Sequence, residues 1–432
     1  MNTTETYVSL DIGTSSVRVI IGEVTNKTIN VLGVGTAESE GIKKGAIVDI
    51  DETVQSIQRA VDQAERMVGL QIKQVVVGIN GNHVQLQPCH GVVAVSSPDR
   101  EIGTEDIGRV IDAAQVVSIP PEREIIDVIP KQFIVDGLDE ITDPRGMIGV
   151  RLEMEGTIIT GSKTVLHNLL RCVERAGLDI ADICLQSLAS GSIAVSKDEK
   201  SLGVCIIDIG GGSSTVSVFE QGALQAVSVL PIGGDHLTND IAVGLRVSTE
   251  DAEKIKKKHG MAFVDEANAE EQFTFTTIGS NEKQTMSQEE LAHIIEPRME
   301  EIFELLFKEL VRLGFRDFPG GFVLTGGTVM LPGVLELAKD LLRGNVRIAI
   351  PDYIGVREPR FTTSVGLIQF ASRNVKLQGR EIAASVTDLE DNSRQSRNQQ
   401  KQQPHEPIEQ EYEEKSQNKK SKMKDLFKSF FE

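Results

Sequence analysis

The sequence predicts an α/β protein made of two similar halves, each organised around a hairpin with phosphate-binding chemistry at its tip. Three observations carry this. SLDIGTSSVRVIIGEV near the start and IIDIGGGSSTVSVFEQG in the second half share one pattern: apolar run, Asp-Ile-Gly, small hydroxyl residues, β-rich run. A repeat at that long spacing indicates a duplicated domain rather than a solenoid of short units. A third glycine turn, VLTGGTVMLPG, sits between an apolar run and a helical pattern. Helix-period segments alternate with the short apolar runs, as in α/β folds.

Taken in order, YVSLDI is a buried strand by its β-branched run, and VRVIIGEV is its hairpin partner. DETVQSIQRAVDQAERMVG is an amphipathic helix that opens near Asp51 and closes at Gly69. QVVVGIN is another buried strand. From about Leu86 to Ser162, short strands and Pro-containing turns (VIPKQFIVDG, ITDPRGMIG) indicate a small α+β insertion. KTVLHNLLRCVERAG is helical, and DICLQSLASGSIAVS leads into another helix. After the second Asp-Ile-Gly hairpin come the helix EDAEKIKKKHG and a long helix, EELAHIIEPRMEEIFELLFKELVRLG, with Pro297 near its start. GGFVLTGGTVMLPGVLELAKDLL is strand, glycine turn, helix, and TSVGLIQFASRN is a last helix. Beyond about Val375 the chain is Gln-, Asn- and Glu-rich with almost no apolar anchors, so it is expected to be disordered.

The net charge of -19 argues against a nucleic-acid partner, whose phosphates need Lys and Arg. Cys89, Cys172, Cys184 and Cys205 lack metal-ligand spacing and read as small buried residues in a reducing compartment. The seven His form no cluster. MNTTETYVSLDIG has no basic and apolar leader pattern, so an export signal is not expected. No apolar run reaches the roughly 18 residues that span a bilayer.

A hairpin tipped with Gly and Ser/Thr points backbone N–H groups at one spot, which makes an anion nest. Two such hairpins can grip a polyphosphate from both sides. An Asp at each turn suits Mg²⁺, which takes few carboxylates, several waters and phosphate oxygens. Either turn alone also fits an ordinary hairpin; the pair with the third turn points to a polyphosphate held with Mg²⁺.

On these motifs the chain resembles the actin, Hsp70 and hexokinase superfamily. Asp11–Ser16 matches its first phosphate motif, Asp208–Ser214 the second, and Thr325–Pro332 the adenosine motif. More narrowly, EGIKKGAIVDIDETVQSI, DVIPKQFIVDG, GVRLEMEGTIITGSKT, LLRCVERAGLDIADICLQSLASG and PGGFVLTGGTVMLPGV resemble the FtsA family of bacterial cell-division proteins. The likeness covers about residues 5–375.

The resemblance implies an actin-like duplicated ATPase fold, and roles residue by residue. Asp11 and Asp208 act at the Mg²⁺-phosphate end. Gly13, Thr14 and Ser15 cradle phosphate from one side, and Gly210, Gly211, Gly212 and Ser213 from the other. Arg18 stands where relatives usually carry a phosphate-reaching Lys. Gly326, Gly327 and Thr328 lie against adenosine. Glu253, Lys256 and Lys257 match positions that hold the ribose and base, although the same residues also fit a solvated helix face. Gln186 is a weak candidate for positioning the attacking water, so turnover is expected to be slow.

Met423, Leu426, Phe427, Phe430 and Phe431 fall at i, i+3, i+4, i+7 and i+8, one helical face. Lys422, Lys424 and Lys428 fall elsewhere. A short helix with an apolar aromatic face and a Lys-rich side fits an interfacial membrane helix on anionic lipid, or a helix that docks on the protein itself or on a partner. The preceding residues 376–418 have an r.m.s. span of roughly 35–40 Å as a flexible coil.

The expected organisation is 1–85 for the first half, 86–162 for the insertion, and 163–200 for the connecting helix. Residues 201–235 open the second half, 236–315 form its smaller subdomain, and 316–375 hold the adenosine motif and closing helix. Residues 376–418 are the linker and 419–432 the terminal helix. The resemblance further implies a peripheral protein of the inner plasma-membrane face at the division site. It implies FtsZ as partner at the smaller subdomain, and self-association and later division proteins at the insertion. Two other classes fit the superfamily: a phosphotransferase or polyphosphatase, which needs a carboxylate base that the cleft motifs do not supply, and an Hsp70-like chaperone, which needs a substrate-binding β domain.

Overall fold

The computed structural model describes residues 5–26, 28–280, 282–378 and 386–388. The first half opens with a meander, β1 (Glu5–Ile12), β2 (Ser16–Thr25) and β3 (Thr28–Glu38). A two-residue-per-strand hairpin follows, β4 (Ile42–Lys43) and β5 (Ala46–Ile47), then α1 (Ile50–Val68), β6 (Leu70–Ile72) and β7 (Gln74–Ile79). The start and stop of α1 are chemical. Asp49 accepts a hydrogen bond from the Glu52 N–H at 3.0 Å, and Gly69 ends the helix at φ 72°. Ile57, Ala60 and Ala64 face inward from it and pack on Val19 and Ile21 of β2.

The insertion comprises β8 (Gln85–Ala94), α2 (Thr104–Ala114), β9 (Arg123–Val135), β10 (Leu138–Ile141) and β11 (Arg151–Ser162), in sheet order β10-β9-β11-β8. It has a core of its own around Ile107, Val110, Phe133, Leu152 and Met154. The chain then returns to the first half through α3 (Lys163–Arg175), β12 (Asp179–Leu185), α4 (Gln186–Ala194) and α5 (Lys197–Leu202).

The second half repeats the opening with β13 (Val204–Ile209), β14 (Ser214–Glu220) and β15 (Ala223–Leu230). It continues with α6 (Gly234–Leu245), α7 (Thr249–His259), β16 (Gln272–Thr276), β17 (Lys283–Ser287) and α8 (Gln288–Arg312). It closes with β18 (Phe322–Thr325), α9 (Val334–Leu341), β19 (Val346–Ile348) and α10 (Thr362–Gln378). Finally β20 (Val386–Asp388) pairs with β6.

The two main sheets have matching topologies, β12-β7-β1-β2-β3 and β15-β14-β13-β18-β19, each an antiparallel three-strand meander extended by two parallel strands. The duplication read from two short motifs is thus a duplication of whole sheets, in a mixed α/β arrangement.

Two expectations shift. The last helix runs on to Gln378, and Val386–Asp388 forms a strand inside the stretch expected to be disordered from 376, because Val386 finds the apolar core under α1. The terminal residues Lys422, Met423, Lys424, Leu426, Phe427, Lys428, Phe430 and Phe431 lie outside the described residues. Among the described residues no helix is long and apolar enough to cross a membrane. All four cysteines are buried and free.

Candidate functional site: two facing glycine turns over buried carboxyls

The duplicated hairpins carry the same turn. Gly13 N–H donates to the Ser16 carbonyl at 3.1 Å, and Gly210 N–H to the Ser213 carbonyl at 3.0 Å. The N–H groups of Thr14, Ser15, Gly211 and Gly212 have no hydrogen-bond partner among the described residues. Unpaired N–H groups at a hairpin tip are what an anion nest requires. The turns face each other across the two halves. A Cβ on Gly211 would lie 1.8 Å from Ser15 Oγ, and one on Gly212 2.5 Å from the Thr14 side chain, so side chains there would force the turns apart. Ser15 Oγ donates to Asp235 at 3.5 Å, bridging first half to second.

Below the turns sit the two motif carboxyls. Asp11, 4% exposed, accepts from Gln186 Nε2 at 2.8 Å and from Ser364 Oγ at 3.0 Å, and Arg18 Nη1 lies 3.5 Å from it. Asp208 accepts from Thr363 Oγ1 at 3.4 Å. Consecutive residues in the first turn of α10 therefore hold one carboxyl each. Burial, and then the neighbouring charge of Asp11, push Asp208 up to about 6; Arg18 and Thr363 pull the other way. Arg18 also keeps a buried Nε without a partner.

The third glycine turn closes the site from the second half. Gly326 has φ 98°, and a Cβ there would meet the Ile209 carbonyl at 2.4 Å and Asp208 Oδ1 at 2.5 Å, so only glycine fits beside this carboxyl. Thr328 Oγ1 donates to the Gly210 carbonyl at 2.8 Å, and Gly327 precedes it in open space. On α7, Lys256 donates to the Gly234 carbonyl at 3.0 Å and to Thr238 Oγ1 at 2.7 Å, and pairs with Glu253, which also accepts from Thr238. These bonds hold Glu253 low despite its burial. Lys257 differs: its side chain is 73% exposed and reaches only Glu253. The structure thus brings Lys256 and Glu253 to the first turn of α6, and leaves Lys257 at the surface.

Sequence reasoning missed five residues here. Gly233 and Gly234 pack against the second hairpin, with Gly234 N–H on the Gly210 carbonyl at 2.9 Å, and Asp235 N–H bonds the Gly211 carbonyl at 2.9 Å. The Gly-Gly-Asp run opening α6 was the available signal. Thr363 and Ser364 gave none, since hydroxyl residues at a helix start read as caps. What the arrangement can do is bind an anion between two nests beside a carboxyl pair. Gln186, the candidate for positioning water, is an amide whose Nε2 donates to Asp11.

The family model "Cell division protein FtsA" matches residues 205–366, and "SHS2 domain inserted in FTSA" matches residues 81–160. A Bacillus subtilis (strain 168) protein, "Cell division protein FtsA", is 58% identical over 440 residues, covering 100% of each chain. Among solved structures, the PilM-PilN type IV pilus biogenesis complex has TM-score 0.58 at 17% identity, over 85% of this chain and 98% of that one. MreB5 of Spiroplasma citri bound to ADP has TM-score 0.51 at 13% identity, over 86% and 97%. The two structures bear on the fold alone, which is actin-like.

Proposed function

Because the chain belongs to the FtsA family of cell-division proteins, we propose that it is an ATP-binding adaptor that tethers FtsZ filaments to the inner face of the plasma membrane. The observation that carries the nucleotide part is the pair of opposed turns with open N–H groups above the carboxyls of Asp11 and Asp208. That MreB5 of Spiroplasma citri, which shares the fold, was solved bound to ADP is in keeping with a nucleotide ligand.

The residues fit ATP–Mg²⁺. The nests offer donors to phosphate, and Arg18 Nε is a buried donor still to be satisfied. Among the described residues no group of three acidic, His or Cys side chains could hold a metal by itself. A cation at Asp11 and Asp208 would therefore be shared with phosphate oxygens and water, which is the coordination habit of Mg²⁺. Bound Mg²⁺ neutralises phosphate charge. Thr14, Ser15, Gly211 and Gly212 orient the phosphates, while Gln186 and Ser364 keep the Asp11 carboxylate aimed. With an amide where a base would stand, turnover falls well below the ~1–100 s⁻¹ of kinases, so nucleotide works as a switch for self-association. Asp208→Ala is expected to weaken or abolish Mg²⁺-dependent ATP binding; unchanged affinity would remove the site assignment.

The membrane part rests on the apolar face of Met423, Leu426, Phe427, Phe430 and Phe431 with its Lys flank. The FtsZ part rests on family membership and is placed at 236–315. Charge reversals on the exposed face of α8, Glu304→Lys and Lys308→Glu, are expected to weaken FtsZ binding without loss of ATP binding. If both keep full FtsZ binding, the contact lies elsewhere. The deciding experiment is co-sedimentation of FtsZ filaments with phosphatidylglycerol-containing vesicles. Filaments should pellet with vesicles only when the full-length chain is present; filaments left in the supernatant would sink the adaptor reading.

A further inference from the structure

The acidic residue in the first turn of α6 faces the opposite hairpin. The main-chain N–H of Asp235 donates to the Gly211 carbonyl at 2.9 Å, which fixes the residue on the second glycine turn. Carboxylates in the first turn of a helix ordinarily serve the helix dipole. The Asp235 side chain instead reaches across the cleft, where Oδ1 accepts from Ser15 Oγ at 3.5 Å. A Cβ on Gly211 would fall 2.7 Å from that carboxylate oxygen and 1.8 Å from Ser15 Oγ, so carboxylate, hydroxyl and glycine tip meet at one spot. The open N–H groups of Ser15 and Gly211 belong to the same two tips. Asp235 is exposed there, within reach of an incoming ligand. No neighbour cancels its charge: among the described residues no cation forms an ion pair with it. Lys256, on the helix packed against α6, is taken by Glu253, Thr238 and the Gly234 carbonyl.

A carboxylate without a counter-charge beside two anion nests repels a bare polyphosphate. It opposes far less a polyphosphate whose charge is offset by bound Mg²⁺. Repelling the wrong ligand is one of the two ways in which a site discriminates. On the reading that the cleft takes a nucleotide, we propose that Asp235 is a specificity-determining residue, which excludes the metal-free polyphosphate and so makes binding depend on Mg²⁺. Asp11 and Asp208, below the turns, act by attracting the metal. Asp235 acts by repulsion at the tips, and its loss therefore has the opposite sign: binding of the metal-free nucleotide improves.

The test measures ATP binding to the full-length chain by titration calorimetry near neutral pH, once with excess Mg²⁺ and once with EDTA, at matched ionic strength. The readout is the ratio of the two dissociation constants. Asp235→Asn removes the charge and keeps the shape, the main-chain bond to Gly211 and an acceptor for Ser15. It is expected to tighten binding of metal-free ATP about tenfold, the scale of one like charge several ångströms away in a partly solvated site, so that the ratio shrinks. Asp235→Ser, a second neutral variant, should shift it the same way. Asp235→Glu, which keeps the charge, should hold the wild-type ratio, and that separates charge from packing. Wild-type protein that binds Mg²⁺-ATP, with neutral variants that bind metal-free ATP no more tightly than it does, overturns this proposal and leaves the nucleotide reading standing. A ratio for Asp235→Glu as small as that for Asp235→Asn also overturns it. Wild-type protein that binds ATP in neither buffer overturns both.

Discussion

Asp208 shows how a carboxyl of the candidate site is kept in place at a cost to the fold. Its ordinary pKa is 3.8, and in the folded chain it is raised to about 6 by burial and by Asp11. Between those values the folded protein keeps a proton that the unfolded chain has lost. Stability from this group therefore falls as pH rises through the window, and is lowest above about 6. Asp208→Asn removes the charge and nearly keeps the shape. It is expected to raise the melting temperature at pH 7.5 by a few degrees, equivalent to roughly 2–3 kcal/mol. That gain should vanish near pH 4, where the wild-type group is neutral in the fold. A calorimetric pH series checks this, and an unchanged or lower melting temperature at pH 7.5 contradicts it. The same variant should bind Mg²⁺-nucleotide more weakly, a trade of function for stability.

At the scale of elements, the meeting of α4 and α10 positions the cleft. Their backbones approach so closely that a Cβ on Gly366 would lie 2.1 Å from the Ala189 carbonyl; against β14, a Cβ on Gly191 of α4 would strike the Phe219 ring at 2.4 Å. Ser190 and Thr363 hydrogen-bond across this contact at 2.9 Å, and Ser192 donates to the Gly366 carbonyl at 3.3 Å. Thr363 and Ser364 can reach Asp208 and Asp11 because α10 is drawn this near. Gly366→Ala should push the helices apart, destabilise the fold by about 1–3 kcal/mol, and weaken nucleotide binding with no cleft residue altered. Denaturant unfolding together with nucleotide titration measures both. Loss of stability with full nucleotide affinity would mean that the spacing does not govern the site. Farther along, Leu377 packs against the insertion's core, so one helix touches both the carboxyls and the inserted sheet.

For the whole molecule, the proposed attachment to a membrane would rest on a balance of terms at the terminal segment. Lys419, Lys420, Lys422, Lys424 and Lys428 each contribute about 1 kcal/mol near an anionic surface, reduced by Asp425 and Glu432. Partial burial of the five apolar side chains adds a few kcal/mol at about 25 cal/mol per Å². Ordering the helix opposes this by about 1 kcal/mol per residue. One chain would thus bind weakly, and a self-associated row would bind firmly through avidity. Phe427→Glu, or removal of residues 420–432, should release the protein from anionic vesicles and leave ATP binding intact, and a foreign amphipathic helix in the same place should restore attachment. Truncated protein that still sediments at about 150 mM salt, where charges are screened within roughly 8 Å, would reassign the segment to partner docking.

The sequence by itself determined what depends on neighbours along the chain. Hairpin turns, helix caps and alternating burial are local, so Asp11–Ser16 and Asp208–Ser214 announced the two hairpins, and the helical pattern announced α1 from near Asp51, two residues past its Asp49 cap, to Gly69. Likeness of one motif to the other announced the duplication. Only the tertiary structure decided which distant groups meet. Gln186 is 175 residues from Asp11 and Ser364 is 353 from it, and no periodicity marks such a pair. The same holds for Ser15 with Asp235, 220 residues away. Lys256 and Lys257 are alike in composition and adjacent in sequence. The turn of α7 sends one under α6 and the other into water, because successive helical residues point about 100° apart. The pairing of Val386–Asp388 with Leu70–Ile72 was likewise invisible, since its single apolar anchor signals nothing until a core stands beside it.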